Sequence, residues 1–483
     1  MSIRTAAVAL LPALSTNALA APPTVIYSEI PGHPTAQAPG LGIDFTGFLS
    51  LYTSPNGRHW IFKAFVDDPE NDVIVAGSGM TGAVVAREAD PTPIDGTTHN
   101  FLDSDCGIND SGVFAYGSRL DGVASNADEI IFSGSTIVAR EGVLAPGLFD
   151  LGLVGDEVFG NSLNSPSVLA DGTVCFRADL IENVDNDFES ALYIGSTVAA
   201  QEGTTAETGE VYDSFAAFSG NFFSLTPDGA HWVVESDIDP SPFSSTEAVV
   251  VDDAVVLRQG DTLLPTSAIV DAVFSVEMAP NGDWYARGDF IDDTDWVVRN
   301  GVVIAHTGGA VDDADFENWS DVISGVTGDA NGNYLVAGET DNPNPDLNAV
   351  LSLNGSQIIA REGDPVDLDG NGLADDGVEI NAFSPEDIAF VDDGSVLAFV
   401  TLRQTGGPGA NLGDAFIRIT PGPTPCNEAD LAIPFGALDF SDVVAFLAAF
   451  AAMDPAADLA PPEGLFDFSD VVAFLAAFGA GCP

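Results

Sequence analysis

The chain reads as mainly β: a seven-bladed β-propeller closed by its N-terminal strand, followed by a small all-α C-terminal domain. Three observations predict this. Turns of the Asn-Gly, Asp-Gly or Ser-Gly type recur seven times, 50 to 62 residues apart. A second motif recurs out of phase with them. The last 58 residues contain one 12-residue segment twice.

Arg4 precedes an apolar run from Ala6 to Leu14, and Ala18-Leu19-Ala20 leads into a proline-rich start. This pattern predicts a secretory signal peptide over residues 1–20, cleaved after Ala20. No later run reaches the roughly 18 apolar residues a membrane span needs, so the mature protein is expected to be secreted, extracellular or associated with the cell surface.

Residues 21–420 are strand-like throughout, with short Val, Ile, Phe and Ala runs separated by Gly, Asn, Asp and Pro. The turns fall at Asn56-Gly57, Ser111-Gly112, Asp171-Gly172, Asp228-Gly229, Asn281-Gly282, Asn331-Gly332 and Asp393-Gly394. Such dipeptides suit two-residue hairpins, in which both central residues take positive φ. The second motif reads VVAREAD at Val84, IVAREG at Ile137, TVAAQEG at Thr197, VVLRQGD at Val255, VVIAHTGG at Val302 and IIAREGD at Ile358. Its seventh copy precedes the first turn, at Thr24 to Gly32, so the N-terminus supplies the strand that the last repeat lacks. A closed ring of four-stranded units of about 55 residues needs that permutation, and an open solenoid does not. The repeats resemble AREG-type repeats of bacterial exported proteins, a resemblance that implies no activity.

Basic residues are scarce, yet Arg87, Arg140, Arg258 and Arg361 share one repeat position, with Glu88, Glu141, Glu202 and Glu362 beside or near it. Two readings stand: a buttress of successive blades, or a ring of ligand-binding arginines facing the channel. With 74 acidic residues against 13 basic ones, a net charge of -61 and Lys63 as the only lysine, nucleic acid is excluded as a partner. The 46% hydrophobic content excludes disorder.

Asp367-Leu-Asp369-Gly-Asn371-Gly372-Leu-Ala-Asp375-Asp376 has oxygen ligands at positions 1, 3, 5 and 9 of a calcium loop and glycine at position 6. Val378 stands at position 12, so Glu379, Asp376 or water would complete the coordination; the alternative is a solvated acidic turn. Cys106 and Cys175 fall in neighbouring blades, where a disulfide is possible. His33, His59, His99, His231 and His306 show no metal spacing, and no nucleophile elbow or phosphate-binding loop occurs. No catalytic residue is assigned.

After a Pro/Gly linker at 421–425, DFSDVVAFLAAF runs from Asp439 to Phe450 and again from Asp467 to Phe478, each copy preceded by ADLA. Phe440, Val443, Val444, Leu447 and Phe450 recur at helical spacing, as do Phe468, Val471, Val472, Leu475 and Phe478, and these faces are expected to pack together. Phe446 and Phe474 lie off that stripe, either exposed beside Ser441 and Ser469 or finishing the core. Asp430, Asp439 and Asp442, and likewise Asp458, Asp467 and Asp470, fit first, ninth and last ligands of a calcium loop, but Ala432, Pro434, Ala460 and Pro462 occupy its middle. The alternative is a helix pair held by a Cys426–Cys482 disulfide, with Asp439 and Asp467 as N-caps.

Cys426, ADLA, the loop ending in LDFSDV or FDFSDV, the AFLAAF helix, DPAADLA and the terminal GCP resemble the GC-type dockerin family of bacterial secreted proteins, over about an eighth of the chain. The resemblance implies a dockerin-like domain over 426–483. It also implies structural calcium, a cohesin-like or envelope protein as partner, and a duplicated recognition surface at Ser441, Phe446, Ser469 and Phe474. The whole then reads as a secreted, non-enzymatic propeller presenting a surface to a glycan or protein and docked through its tail. The alternative is a polysaccharide-active lyase or hydrolase carried by that tail.

Overall fold

The computed structural model describes residues 21–149, 157–181, 190–215, 223–239, 246–312, 317–406, 411–422, 427, 429–431, 438, 440–452, 457–460 and 465–482. The chain divides into a β unit that runs to Pro421 and a C-terminal unit that starts at Gly422.

The β unit is a seven-bladed propeller. Its seven antiparallel sheets follow one another along the chain, and the first strand of each blade faces the central channel. Blades 1 to 6 open with Phe45–Thr53, Thr98–Ile108, Val158–Val168, Val211–Phe215, Ala268–Met278 and Trp319–Gly328, and blade 7 with Val378–Phe390. In blade 4 this strand continues as Phe223–Leu225, and blade 5 gains a short strand, Thr262–Leu263. Blade 7 is completed by Thr24–Ser28, which pairs antiparallel with Asn411–Ile419, as the permuted repeat predicts. The ring closes on an aromatic cluster in which Tyr27, Trp60, Phe62, Phe399 and Phe416 are all buried. Each such side chain contributes about 1.5–3 kcal/mol through burial.

The turns differ from expectation. In all seven the glycine has positive φ and the residue before it does not. The Gly57 N–H donates to the Ser54 carbonyl, and the other six glycines repeat that bond. This is a type I turn followed by a left-handed glycine, which needs one special residue rather than two. Ser111 is accepted before Gly112 for that reason.

The recurring motif lies on the outermost strand of each blade, remote from the channel, so the buttress reading holds and the ligand ring does not. Glu88 accepts the N–H groups of Asn71 and Asp72 at 3.0 and 3.5 Å, and Glu141 those of Asp128 and Glu129 at 3.1 and 3.4 Å. Glu202 accepts from Ser190 N at 3.1 Å, and Glu29, in the N-terminal copy, from Asp414 N at 2.8 Å. Glu88, Glu141 and Glu202 cap the start of the neighbouring third strand, and Glu29 reaches the fourth residue of Asn411–Ile419. The next residue, Ala89, Gly142, Gly203, Gly260, Gly308 or Gly363, then donates its N–H to a carbonyl on the first strand of the following blade. One short motif thus finishes one blade and registers the next.

Cys106 and Cys175 are buried and free. Cys106 packs between blades 1 and 2, whereas Cys175 packs with Leu192, Tyr212 and Trp232 between blades 3 and 4. They face different inter-blade cores, which rules out the pairing their positions allowed.

The C-terminal unit contributes two helices, α1 (Phe440–Ala452) and α2 (Phe468–Ala480). Asp467 is the N-cap of α2, accepting from Ser469 N at 2.7 Å, and Asp470 accepts in turn from Asp467 N at 2.8 Å. Phe446 and Phe474 are buried and stacked on each other at 4.2 Å. That corrects their reading as exposed partner-binding residues. The expectation that Phe440, Val444 and Leu447 pack inward is overturned as well. They are exposed, as are Phe468, Val472 and Leu475. These helices are apolar nearly all round, so spacing alone does not select a face.

Candidate functional site

Three places bring chemistry together. The first is the loop over 367–376. Carboxylate oxygens of Asp367, Asp369 and Asp376 lie within 4.8 Å of one another, and among the described residues this is the one such group of three. That spread suits a calcium ion with oxygen ligands at 2.3–2.6 Å. Asp367 is 1% exposed and accepts the N–H groups of Gly370, Asn371 and Gly372 at 2.8–3.0 Å. Asp376 accepts from Leu368 N at 2.8 Å. Asn371 donates to Asp375 at 3.3 Å. Glu379 is held by the Arg403 guanidinium at 2.8 Å, and Asp376 is the residue that joins Asp367 and Asp369 in the group. The same loop receives the N-terminal strand: Val25 N donates to the Asp367 carbonyl, and Asp367 N to the Pro23 carbonyl.

The tail loops are organised differently. Asp442 and Asp470 are buried and accept the N–H groups of Leu431 and Ala460 at 2.8 and 2.9 Å. Asp430 is buried, Asp458 is half-buried, and Asp467 is spent on its cap. Ser469 is exposed and donates to Asp467. Asp439 and Cys426 lie outside the described residues, and so does the side chain of Ser441. Cys482 follows the end of α2.

The second place is the channel, where all seven blades line a cavity of about 200 Å³. Glu277 accepts from Thr327 Oγ1 at 2.7 Å and Gly328 N at 3.2 Å, and burial pushes its carboxyl up to about 7. Glu386, on the same wall, pairs with Arg287 at 2.6 Å. Beside it, Asp387 accepts from Leu51 N at 2.6 Å and is raised by burial to about 6. Sequence reasoning missed these groups. Among 74 acidic residues, nothing in the pattern marks the few that point inward.

The third place is the outward face of the tail helices. Phe440 and Phe468 are 78% and 76% exposed, at equivalent positions of the two copies, with Val444, Leu447, Val472 and Leu475 below them.

No helix among the described residues is long and apolar enough to cross a membrane. Residues 32–221 match a family of unknown function, DUF7453. No curated protein matches the chain. Among solved structures, the chain is similar to the Dos1 propeller at 10% identity, covering 79% of this chain and 80% of that one, with a TM-score of 0.33. It is similar to the polysaccharide lyase Uly1 at 12% identity, covering 83% and 97%, with a TM-score of 0.37. Against prolyl oligopeptidase B from Galerina marginata, at 10% identity and a TM-score of 0.32, it covers 74% of its own length and 47% of that chain.

Proposed function

We propose that this chain is an exported β-propeller that presents a binding surface to a glycan or protein and is held at the cell surface, or on an extracellular complex, by its dockerin-like C-terminal module. The observation that carries the reading is the duplicated apolar face of that module. A phenylalanine in water at each of two equivalent positions is costly unless a partner covers it. Residues 421–483 contain no Lys, Arg or His, so the partner is expected to offer an apolar groove with a basic rim, as a cohesin-like or envelope protein could. Calcium at Asp367, Asp369 and Asp376 is a structural ion in this reading, fixing the loop on which the N-terminal strand closes the ring.

The test uses the full-length chain and washed envelopes of the producing cells. With Phe440→Asp or Phe468→Asp alone, co-sedimentation is expected to persist through the remaining copy; with both, it is expected to be lost. Undiminished co-sedimentation of the double variant contradicts docking through these faces.

A second reading, a polysaccharide-active lyase or hydrolase, is favoured by Glu277, a carboxyl that holds its proton near neutrality beside a cavity and could serve as a general acid. Release of new chain ends from a polymer, abolished by Glu277→Gln, would establish it.

A further inference from the structure

Six asparagines of the chain precede a glycine: Asn56, Asn281, Asn300, Asn331, Asn354 and Asn371. Such pairs are chemically labile, because glycine has no side chain to keep its own nitrogen from attacking the asparagine amide. In five of the six the side-chain carbonyl is held by a backbone N–H. Asn56 Oδ1 accepts from Arg58 N at 2.9 Å, Asn281 Oδ1 from Asp283 N at 2.9 Å, Asn300 Oδ1 from Trp284 N at 3.0 Å, Asn354 Oδ1 from Tyr334 N at 2.9 Å, and Asn371 Oδ1 from Leu373 N at 2.7 Å. Asn331 is the exception. It is exposed, and its side chain only donates, to Asp329 Oδ2 at 3.3 Å.

The seven repeats show why. In blades 1, 3, 4, 5 and 7 the residue before the turn glycine accepts the N–H of the residue after it, through Asn56, Asp171, Asp228, Asn281 and Asp393 at 2.9–3.0 Å. This bond ties the side chain into the turn. In blades 2 and 6 an Asn or Asp two positions earlier takes that N–H instead. Asn109 Oδ1 accepts from Val113 N at 3.0 Å, and Asp329 Oδ1 from Asn333 N at 2.7 Å. Blade 2 has Ser111 before its glycine and so no amide to lose, whereas blade 6 has Asn331. The turn bond is also longest in blade 6: Gly332 N lies 3.3 Å from the Asp329 carbonyl, against 2.7 Å from Gly57 N to the Ser54 carbonyl and 2.9 Å from Gly282 N to the Ala279 carbonyl.

We propose that Asn331 is a site of spontaneous covalent modification, at which the folded protein loses one side-chain amide while the other five Asn-Gly pairs are protected. The Gly332 nitrogen attacks the Asn331 side-chain carbonyl carbon. An N–C bond forms, the bond to Nδ2 breaks, and ammonia leaves with the proton of the Gly332 nitrogen. Water then opens the resulting five-membered imide at either carbonyl, giving aspartate or isoaspartate. To bring its amide onto the glycine nitrogen, each of the other five asparagines must leave a backbone N–H without its acceptor, whereas Asn331 gives up only a long bond to a carboxylate. The aspartate product is what Asp171, Asp228 and Asp393 already supply at this position of three other blades, so the fold tolerates it. The isoaspartate product lengthens the backbone by one methylene. Its turn directly follows Thr327 and Gly328, which hold Glu277 in the channel, so ageing of the chain is directed to the strand end beside that carboxyl.

The test holds the full-length chain at mildly alkaline pH, folded and in parallel denatured in guanidinium chloride, and follows amide loss and isoaspartate at all six asparagines by peptide mass spectrometry. In the denatured chain the six are expected to convert at comparable rates; in the folded chain Asn331 is expected to convert at least about fivefold faster than any other. Asp329→Ala copies Ala279 of blade 5, leaves the N–H of Asn333 to Asn331 Oδ1, and is expected to slow Asn331 to the rate of Asn281. Conversion of another of the six at an equal or higher rate in the folded chain overturns the assignment. So does a folded Asn331 that stays intact while its denatured counterpart converts. An unchanged rate in Asp329→Ala at unchanged melting temperature overturns the role given to Asp329, and if that variant unfolds, the comparison of folded with denatured wild type decides alone.

Discussion

At the scale of single residues, the recurring glutamate shows how a motif can look functional and be architectural. Its carboxylate takes N–H groups that the end of a strand leaves open, and a substitution that removes it strands them. Glu202 is the sharpest case, because it accepts from Ser190 in its own blade and from Phe215 N, at 3.2 Å, in the first strand of the next. Glu202→Ala is expected to cost about 1–3 kcal/mol, read as a shift in the denaturant midpoint, whereas Glu70→Ala on the surface should change stability by less than about 0.5 kcal/mol. Equal effects would contradict the capping role. The repeat position was legible in the sequence because scarce arginines returned in phase. The direction of the side chains was not, since a period of two places a residue on a face without saying what that face meets.

At the scale of elements, the strands, the seven turns and the strand swap were all legible, because alternating apolar runs and glycine spacing determine them locally. Turn type was less so. Asn-Gly fits two kinds of hairpin, and the seven Ser54-to-Gly57-like bonds select the one with a single left-handed glycine. In the tail, DFSDVVAFLAAF announces a helix, but its nearly uniform apolarity concealed that Phe446 goes in and Phe440 out. The 367–376 loop was readable from its Asp and Gly spacing, but the spacing left open whether Glu379 joins it, and Arg403 holds that side chain. If calcium binds there, chelator-treated protein given calcium should gain about 3 kcal/mol at 100-fold saturation, seen as a higher melting temperature that Asp367→Ala abolishes. A melting temperature that does not respond to calcium would remove the ion from this loop. Because that loop bonds to residues 23–25, deletion of residues 21–28 is expected to destroy cooperative unfolding rather than merely lower its midpoint.

At the scale of the whole molecule, acidity and burial oppose each other. Besides Glu277 and Asp387, burial raises Asp103 to about 6, Glu129 to about 7 and Glu235 to about 8. The unfolded chain releases these protons near pH 4, while the folded chain holds them up to about pH 6–8. Across that window the folded state binds more protons, so its stability falls as pH rises. The melting temperature is therefore expected to be higher at pH 5 than at pH 8. The opposite order would mean that these carboxyls are solvated.

The propeller itself is ambivalent about activity, since a channel with a proton-holding glutamate can bind or cleave. The most direct measurement is to incubate the full-length chain with a panel of neutral and acidic polysaccharides in calcium, recording retention on each polymer and the appearance of new chain ends. Retention on a polymer with no new ends is the result expected of an anchored glycan-binding protein. New ends accumulating with time, and lost on Glu277→Gln, would contradict that account and make the channel an active site.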